Sequence, residues 1–68
     1  MEILFSKKIR DLRLEKGLRQ SDVAQYLKVT PATVTRWENK TQEPDYLTLA
    51  LLAKFFGVTT DYILGLED

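Results

Sequence analysis

The stretch QSDVAQYLKVTPATVTRW, residues 20–37, decides the fold of this 68-residue chain. Its apolar residues recur at the spacing of helices on both sides of a short segment, 28–30. The pattern predicts one helix over about 20–27 and a second over about 31–39. Two helices joined by so short a turn must cross closely, and the small side chain of Ala24 at the crossing allows their backbones to approach.

Outward from this stretch, the same spacing predicts three further helices, over about 6–16, from Asp45 to 57, and over about 61–64. Candidate caps mark their ends, because Ser, Thr and Asp favour the N-cap, proline the first turn and glycine the position after a helix. These candidates are Ser6, Thr30 with Pro31, Asp45, Thr59 or Thr60, Gly17, Gly57 and Gly65. No segment alternates long enough to indicate a strand. The chain is therefore predicted to be all-α, a compact five-helix bundle forming a single domain over residues 1–68.

Composition argues against several classes of protein. The chain has no Cys and no His, which removes thiol chemistry, the usual zinc ligands and the usual general base. No apolar run approaches the roughly 18 residues of a membrane span. We therefore expect a cytoplasmic protein that is not an enzyme, with no catalytic residues, no metal, no cofactor, no small-molecule ligand and no membrane association.

The charge of the chain is zero overall but unevenly divided. Residues 1–40 hold nine Lys/Arg and five Asp/Glu, whereas residues 41–68 hold one Lys and five Asp/Glu, so the two parts carry +4 and −4. A basic part beside an acidic part suits a molecule that presents one face to a polyanion.

The third predicted helix has one face that the core does not use. Val34 and Trp37 fall on its inward side, which leaves a small, polar outer face with one long hydrogen-bond donor. That face carries Ala32, Thr33, Thr35 and Arg36. A helix of this build fits the major groove of double-stranded DNA, although an exposed Arg is also often merely solvated.

Over residues 5–65 the sequence resembles the phage repressor and Cro family of helix-turn-helix proteins, also called the xenobiotic-response-element type. Many residues match the family pattern in register and without a gap: Arg13, Gly17, Gln20, Ala24, Val29-Thr30, Val34, Arg36-Trp37-Glu38, Pro44, Leu49, Ala53, Gly57-Val58 and Asp61. The resemblance implies a lambda-repressor-like fold in which helices two and three form the helix-turn-helix. It also implies sequence-specific binding of double-stranded DNA by a bacterial or phage transcriptional regulator, in particular a repressor.

The resemblance further implies roles for single residues. Positions that reach base edges correspond to Thr30, Pro31, Ala32, Thr35 and Arg36, and the exposed face adds Thr33. Positions that contact the DNA backbone correspond to Gln20, Asn39 and Lys40, and the family residue at the position of Gln20 also braces the recognition helix. Arg13 and Glu38 resemble a pair that ties the first helix to the end of the third.

The chain also departs from the family pattern. Lys28 and Lys40 stand where the family often has glycine, and we expect both at positive φ, at a cost of about 1 kcal/mol each. Arg19 replaces a usual Ser or Thr cap, which weakens the cap but adds a cation beside the DNA backbone.

The fourth predicted helix carries more apolar residues than its core face needs. Its inward stripe is Leu49, Leu52, Ala53 and Phe56, and a second stripe at i, i+4, i+8 is Leu47, Leu51 and Phe55. We expect this second stripe to be an exposed homodimer interface, with dimerisation completed on a two-fold operator. The alternative is that it merely widens the core face.

Two alternatives for function stay open at the level of sequence. The same fold also serves protein-binding modules of the antitoxin or coactivator type. The chain also fits the DNA-binding part of a longer repressor.

Overall fold

The computed structural model describes residues 3–67, which form five α-helices and no strand. The helices are α1 (Phe5–Glu15), α2 (Gln20–Leu27), α3 (Pro31–Glu38), α4 (Tyr46–Phe56) and α5 (Thr60–Leu64). The predicted all-α, five-helix architecture is confirmed, with element ends that differ from prediction by at most two residues. Met1, Glu2 and Asp68 belong to the predicted domain but lie outside the described residues. None of the helices described is long and apolar enough to cross a membrane.

Side-chain caps fix where three of the helices begin. Thr30, Asp45 and Thr59 each precede a helix, and each side chain accepts a hydrogen bond from the backbone N–H three residues later. Such a bond satisfies one of the N–H groups that a helix start leaves unpaired. Gly57 and Gly65 follow α4 and α5 at φ +69° and +80°. These predicted helix boundaries are confirmed.

Ser6 does not cap α1, contrary to the prediction. The helix begins one residue earlier, after Leu4, and the buried Ser6 hydroxyl donates a hydrogen bond to the backbone carbonyl of Trp37. The earlier start places Phe5 within the first turn, on the same buried face as Ile9. Ser6 therefore joins α1 to the C-terminal end of α3 instead of capping the start of α1.

The core lies where the helices meet. The largest side chains with almost no exposure are Trp37, Leu52, Ile63 and Val34, which come from α3, α4 and α5. Ala24 is 1% exposed, as its predicted place at the crossing of α2 and α3 requires. Leu27 and Leu49, also predicted to point inward, are half-buried and pack against this core.

The second apolar stripe of α4 is only partly the exposed surface that the sequence suggested. Leu47 is 69% exposed, but Leu51 and Phe55 are half-buried. The ring of Phe55 lies 4.5 Å from that of Tyr26 on α2, measured between centroids, and also packs against the core. Phe55 therefore does widen the core face, while Tyr26, 53% exposed, extends the apolar surface onto α2.

Candidate nucleic-acid interface

The turn between α2 and α3 is closed by a lysine in the left-handed conformation. Lys28 has φ 59° and ψ 41°, and the next N–H, that of Val29, donates to the carbonyl of Ala24 at 3.0 Å. This pattern is the usual way of ending a helix sharply, although glycine is the usual residue. Lys40, at φ 69°, ends α3 in a similar way, because the N–H of Thr41 donates to the carbonyl of Arg36 at 3.0 Å. The expected positive φ at both lysines is confirmed.

The outer face of α3 presents most of the residues that the sequence assigned to base contacts. Thr30, Pro31, Ala32, Thr35 and Arg36 are exposed, and Thr33 is half-buried. The hydroxyl oxygens of Thr30 and Thr33 are 3.0 Å apart and share a hydrogen bond. Among residues 3–67, the Arg36 guanidinium makes no hydrogen bond or ion pair. Its five N–H donors are therefore available to a ligand.

The residues assigned to DNA backbone contacts lie at the start of α2 and just after the end of α3. Arg19, Asn39 and Lys40 are exposed, and Gln20 is half-buried. The Arg19 guanidinium lies 3.4 Å from Asp22 in a loose surface pair, 81% exposed on the Arg side. The side-chain oxygen of Asn39 accepts hydrogen bonds from the hydroxyl and the N–H of Thr41, so its NH₂ group remains for an outside acceptor.

An acidic side chain takes over part of the capping at the start of α2. The Arg19 N–H donates to the Asp22 carboxylate at 2.8 Å, and this bond, together with bonds from the Arg19 side chain, lowers the pKa of Asp22. Arg19 has no acceptor of its own to offer as an N-cap. Asp22 therefore satisfies the N–H of residue 19, while the acceptor that a Ser or Thr at this position would offer to the first N–H groups of α2 is missing.

Arg13 and Glu38 form the ion pair that the resemblance implies. Arg13 Nε and Nη2 donate to the two Glu38 oxygens at 2.7 and 3.1 Å, and the side chains are only 12% and 7% exposed. Arg13 Nη1 also donates to the carbonyl of Leu18 at 2.9 Å. The hydrogen bond to Glu38 raises the pKa of Arg13. The pair joins α1 to the last residue of α3.

Gln20 connects this ion pair to the outer face of α3, and so braces the recognition helix as the resemblance implies. The Gln20 Nε2 donates to Glu38 Oε1 at 3.1 Å, and the Gln20 Oε1 accepts from the Thr35 hydroxyl at 2.7 Å. A continuous hydrogen-bonded chain thus runs from Arg13 through Glu38 and Gln20 to Thr35. The side chain of Gln20, expected to bond a phosphate, is engaged within the protein.

The described residues offer no site for a metal ion. No group of three or more acidic, His or Cys side chains within residues 3–67 is placed to hold one. The chemistry of the α2–α3 surface is instead that of hydrogen-bond donors, hydroxyls and cations.

Comparison with known proteins identifies helix-turn-helix regulators. The family model described as helix-turn-helix matches residues 9–63. The phage CTXphi transcriptional repressor RstR of Vibrio cholerae is 47% identical over 55 residues, which cover 81% of this chain and 50% of that protein. The transcriptional activator BcrR of Enterococcus faecalis is 34% identical over 64 residues, which cover 94% of this chain and 31% of that protein. The chain thus spans about half, or less, of the length of these relatives.

A solved structure agrees with these relatives. The P22 c2 repressor protein, in complex with a synthetic operator, has a TM-score of 0.84 and 28% identity to this chain, with coverage of 90% of this chain and 92% of that one. The resemblance to phage repressors drawn from the sequence is confirmed, and so is the repressor-like fold.

Proposed function

Because this chain belongs to the helix-turn-helix family, we propose that it is a sequence-specific DNA-binding transcriptional regulator that places α3 in the major groove. Its 47% identity to a phage repressor supports repression as the direction of that regulation. On this proposal the protein is not an enzyme, and its partner is double-stranded DNA.

The observation that carries the proposal is the two-sidedness of α3. Val34 and Trp37 are 1% and 2% exposed, so they anchor the helix in the core. The opposite side projects short polar side chains and the guanidinium of Arg36, which has no partner among residues 3–67. A helix held in this way presents a rigid, narrow edge to a groove roughly 12 Å wide. The P22 c2 repressor, whose fold matches this chain with a TM-score of 0.84, was solved in complex with a synthetic operator, which supports a DNA-binding role for this fold.

The proposed base contacts come from that edge: Thr30, Pro31, Ala32, Thr33, Thr35 and Arg36. The proposed backbone contacts come from Arg19, Gln20, Asn39 and Lys40. For Gln20 the contact is assigned to its backbone N–H, because the side chain is bonded to Glu38 and Thr35. The first N–H groups of a helix have no partner within it and suit a phosphate oxygen.

Arg36 is proposed as the main base-reading residue, because two of its guanidinium N–H donors can match the two acceptors of guanine. A duplex is first enriched by the wild-type protein from a random library. Arg36→Ala should then weaken binding of that duplex roughly 5- to 150-fold and leave binding of random-sequence DNA nearly unchanged.

Lys54→Ala is the matched control, since it removes one exposed cation from α4 and leaves α3 intact. It should bind both DNAs almost as the wild type does. Equal loss on both DNAs for Arg36→Ala assigns Arg36 to a phosphate, and failure of the wild type to enrich any sequence refutes the proposed function.

The regulator is proposed to act as a homodimer through Leu47, Leu51 and Phe55, with Tyr26 beside them. Leu47 is well exposed, and an exposed apolar surface often marks an interaction site. A single domain of zero net charge can neutralise few phosphates, so one copy should bind weakly. Two copies related by a two-fold axis would place their α3 helices about 34 Å apart, on half-sites one turn of DNA apart.

A further inference from the structure

The side-chain amide of Gln20 has one possible orientation. Glu38 is the carboxylate partner of the Arg13 guanidinium, and a carboxylate can only accept hydrogen bonds. The atom of Gln20 that lies 3.1 Å from Glu38 Oε1 must therefore be the NH₂ nitrogen. The amide oxygen, an acceptor only, then faces Thr35.

This orientation decides the role of the Thr35 hydroxyl. The Gln20 oxygen 2.7 Å away can only accept, so Thr35 donates to it. The other protein acceptor within reach is the carbonyl of Pro31, at 3.1 Å. A hydroxyl has a single proton, and both acceptors belong to the protein. Whichever of them receives the proton, none is left for a ligand.

Thr35 nevertheless faces the proposed groove. Its side chain is exposed on the outer edge of α3, one turn after Pro31. What it offers outward is the remaining lone pair of its oxygen and its methyl group. The hydroxyl proton is therefore directed to acceptors within the protein before any DNA arrives, and the nearer of them, the Gln20 oxygen, is oriented by the buried ion pair.

We propose that Thr35 reads DNA only as a hydrogen-bond acceptor, and so selects the exocyclic amino group of adenine or cytosine in the major groove. These amino groups, adenine N6 and cytosine N4, are the donors that base pairs present there, whereas guanine O6 and N7 and thymine O4 are acceptors. A lone pair placed against such an acceptor is repelled. The inference rests on the proposed function. It predicts that one position of the target sequence holds a base with an amino group in the major groove.

The test begins by locating the base pair that Thr35 contacts. Wild type and Thr35→Val are used in parallel to enrich duplexes from a random library. Val keeps the shape and the methyl group but lacks the hydroxyl, so the base pair at which the two preferences differ is the one that the hydroxyl reads. Thr35→Ser, which keeps the hydroxyl, should retain the wild-type preference. Circular dichroism checks that each variant is folded.

Base analogues then determine the direction of the hydrogen bond. At that base pair, purine replaces adenine, or 2-pyrimidinone replaces cytosine, so that the amino group is absent. Wild type should lose about two- to tenfold more affinity than Thr35→Val on this change, the worth of one neutral hydrogen bond. Replacing the purine N7 by CH, which removes an acceptor, should affect the two proteins equally.

The outcomes separate this inference from the proposed function. If the wild type enriches no sequence, the proposed function fails. If it does enrich one but Thr35→Val keeps the same preference everywhere, Thr35 reads no base through its hydroxyl and the inference is wrong. It is also wrong if loss of N7, and not of the amino group, distinguishes the two proteins.

Discussion

Among single residues, Lys28 and Lys40 adopt a backbone conformation that is strained for lysine and that the fold requires. Each adopts the left-handed conformation at the end of a helix, with φ 59° and 69°. For a residue with a Cβ this conformation costs roughly 1–2 kcal/mol, whereas glycine adopts it freely. Both residues lie beside the proposed DNA-binding surface, where a cation can neutralise a phosphate.

Lys28→Gly should therefore stabilise the domain, by about 0.5–1 kcal/mol, because removal of the Cβ relieves the strain at that turn. The free energy of unfolding in urea measures the change. Lys28→Ala is the control, since it removes the charge and keeps the Cβ, and it should leave stability near that of the wild type. A less stable Lys28→Gly protein would show that position 28 carries no such strain in solution.

The difference between Lys28 and Ser6 shows what sequence can predict for single residues. The conformation of Lys28 follows from the short distance between two helices adjacent in the chain, so local reasoning finds it. The hydroxyl of Ser6 bonds a carbonyl 31 residues away, and only the packed arrangement of α1 on α3 creates that contact. The resemblance implied that Gln20 braces α3, but the partners of its side chain, Glu38 and Thr35, depend on how two helices pack and were not predicted.

Among the helices, caps hold the helix starts and the buried Arg13–Glu38 ion pair joins α1 to α3. Asp45 caps α4, and hydrogen bonds from Thr48, through its side chain and its backbone, lower the pKa of Asp45 from its ordinary value. Bonds from Arg19 lower the pKa of Asp22 in α2 likewise. Both helix starts therefore favour an ionised carboxylate.

The lowered pKa values predict acid sensitivity. A carboxyl group with a lower pKa in the folded state stabilises the fold above its unfolded pKa, and that stabilisation is lost as the pH falls through the folded pKa. The ordinary value for Asp is 3.8, so the melting temperature should be nearly constant from pH 7 to pH 5 and should fall below about pH 4. Thermal unfolding followed by circular dichroism at pH 7 and pH 3 measures the loss.

Asp45→Asn separates the cap from its charge. Asn is also a good N-cap residue but does not titrate, so this variant should lose less stability between pH 7 and pH 3 than the wild type. Glu43→Gln, which removes a neighbouring exposed carboxylate in the loop before α4, is the matched control. A decline for Asp45→Asn as steep as that of the wild type would mean that the Asp45 cap contributes nothing to acid sensitivity.

The Arg13–Glu38 pair predicts a larger effect of mutation. Glu38→Ala leaves the guanidinium of Arg13 buried without its partner, at a cost of roughly 3–5 kcal/mol. Glu38→Gln keeps one acceptor for the network and should cost less. Urea unfolding of both variants measures the difference, and a Glu38→Ala protein as stable as the wild type would rule out a stabilising role for the pair.

Over the whole molecule, the sequence predicts the number and positions of the helices better than it predicts which apolar residues are exposed. Caps, glycines and apolar spacing define five helices because each signal is local. Whether Phe55 lies on the outside or in the core depends on Tyr26, 29 positions earlier, and apolar spacing along α4 contains nothing about it. The exposure of the second apolar stripe of α4 was therefore predicted less accurately than the fold.

The dimer proposal predicts a change in stoichiometry on DNA. Leu47→Glu should weaken binding to a duplex with two half-sites at least tenfold, by our estimate, but should bind a single half-site like the wild type, because Leu47 is 69% exposed and the change leaves the core intact. Ala50→Glu, an equal charge change at an exposed site on the same helix, is the control. Sedimentation of the complexes counts the chains per duplex, and two chains with unchanged affinity for Leu47→Glu would refute this interface.

The single tryptophan gives the molecule an optical reporter of its own. Trp37 is the one indole in the sequence and is 2% exposed on the inner side of α3. A buried indole fluoresces at shorter wavelength than one in water, so a red shift of the emission records the loss of the packed core. A ligand on the outer side of the same helix does not touch the indole. Unlabelled protein can thus report its own unfolding during a DNA titration, and weak binding can be told apart from a failed fold in the same sample.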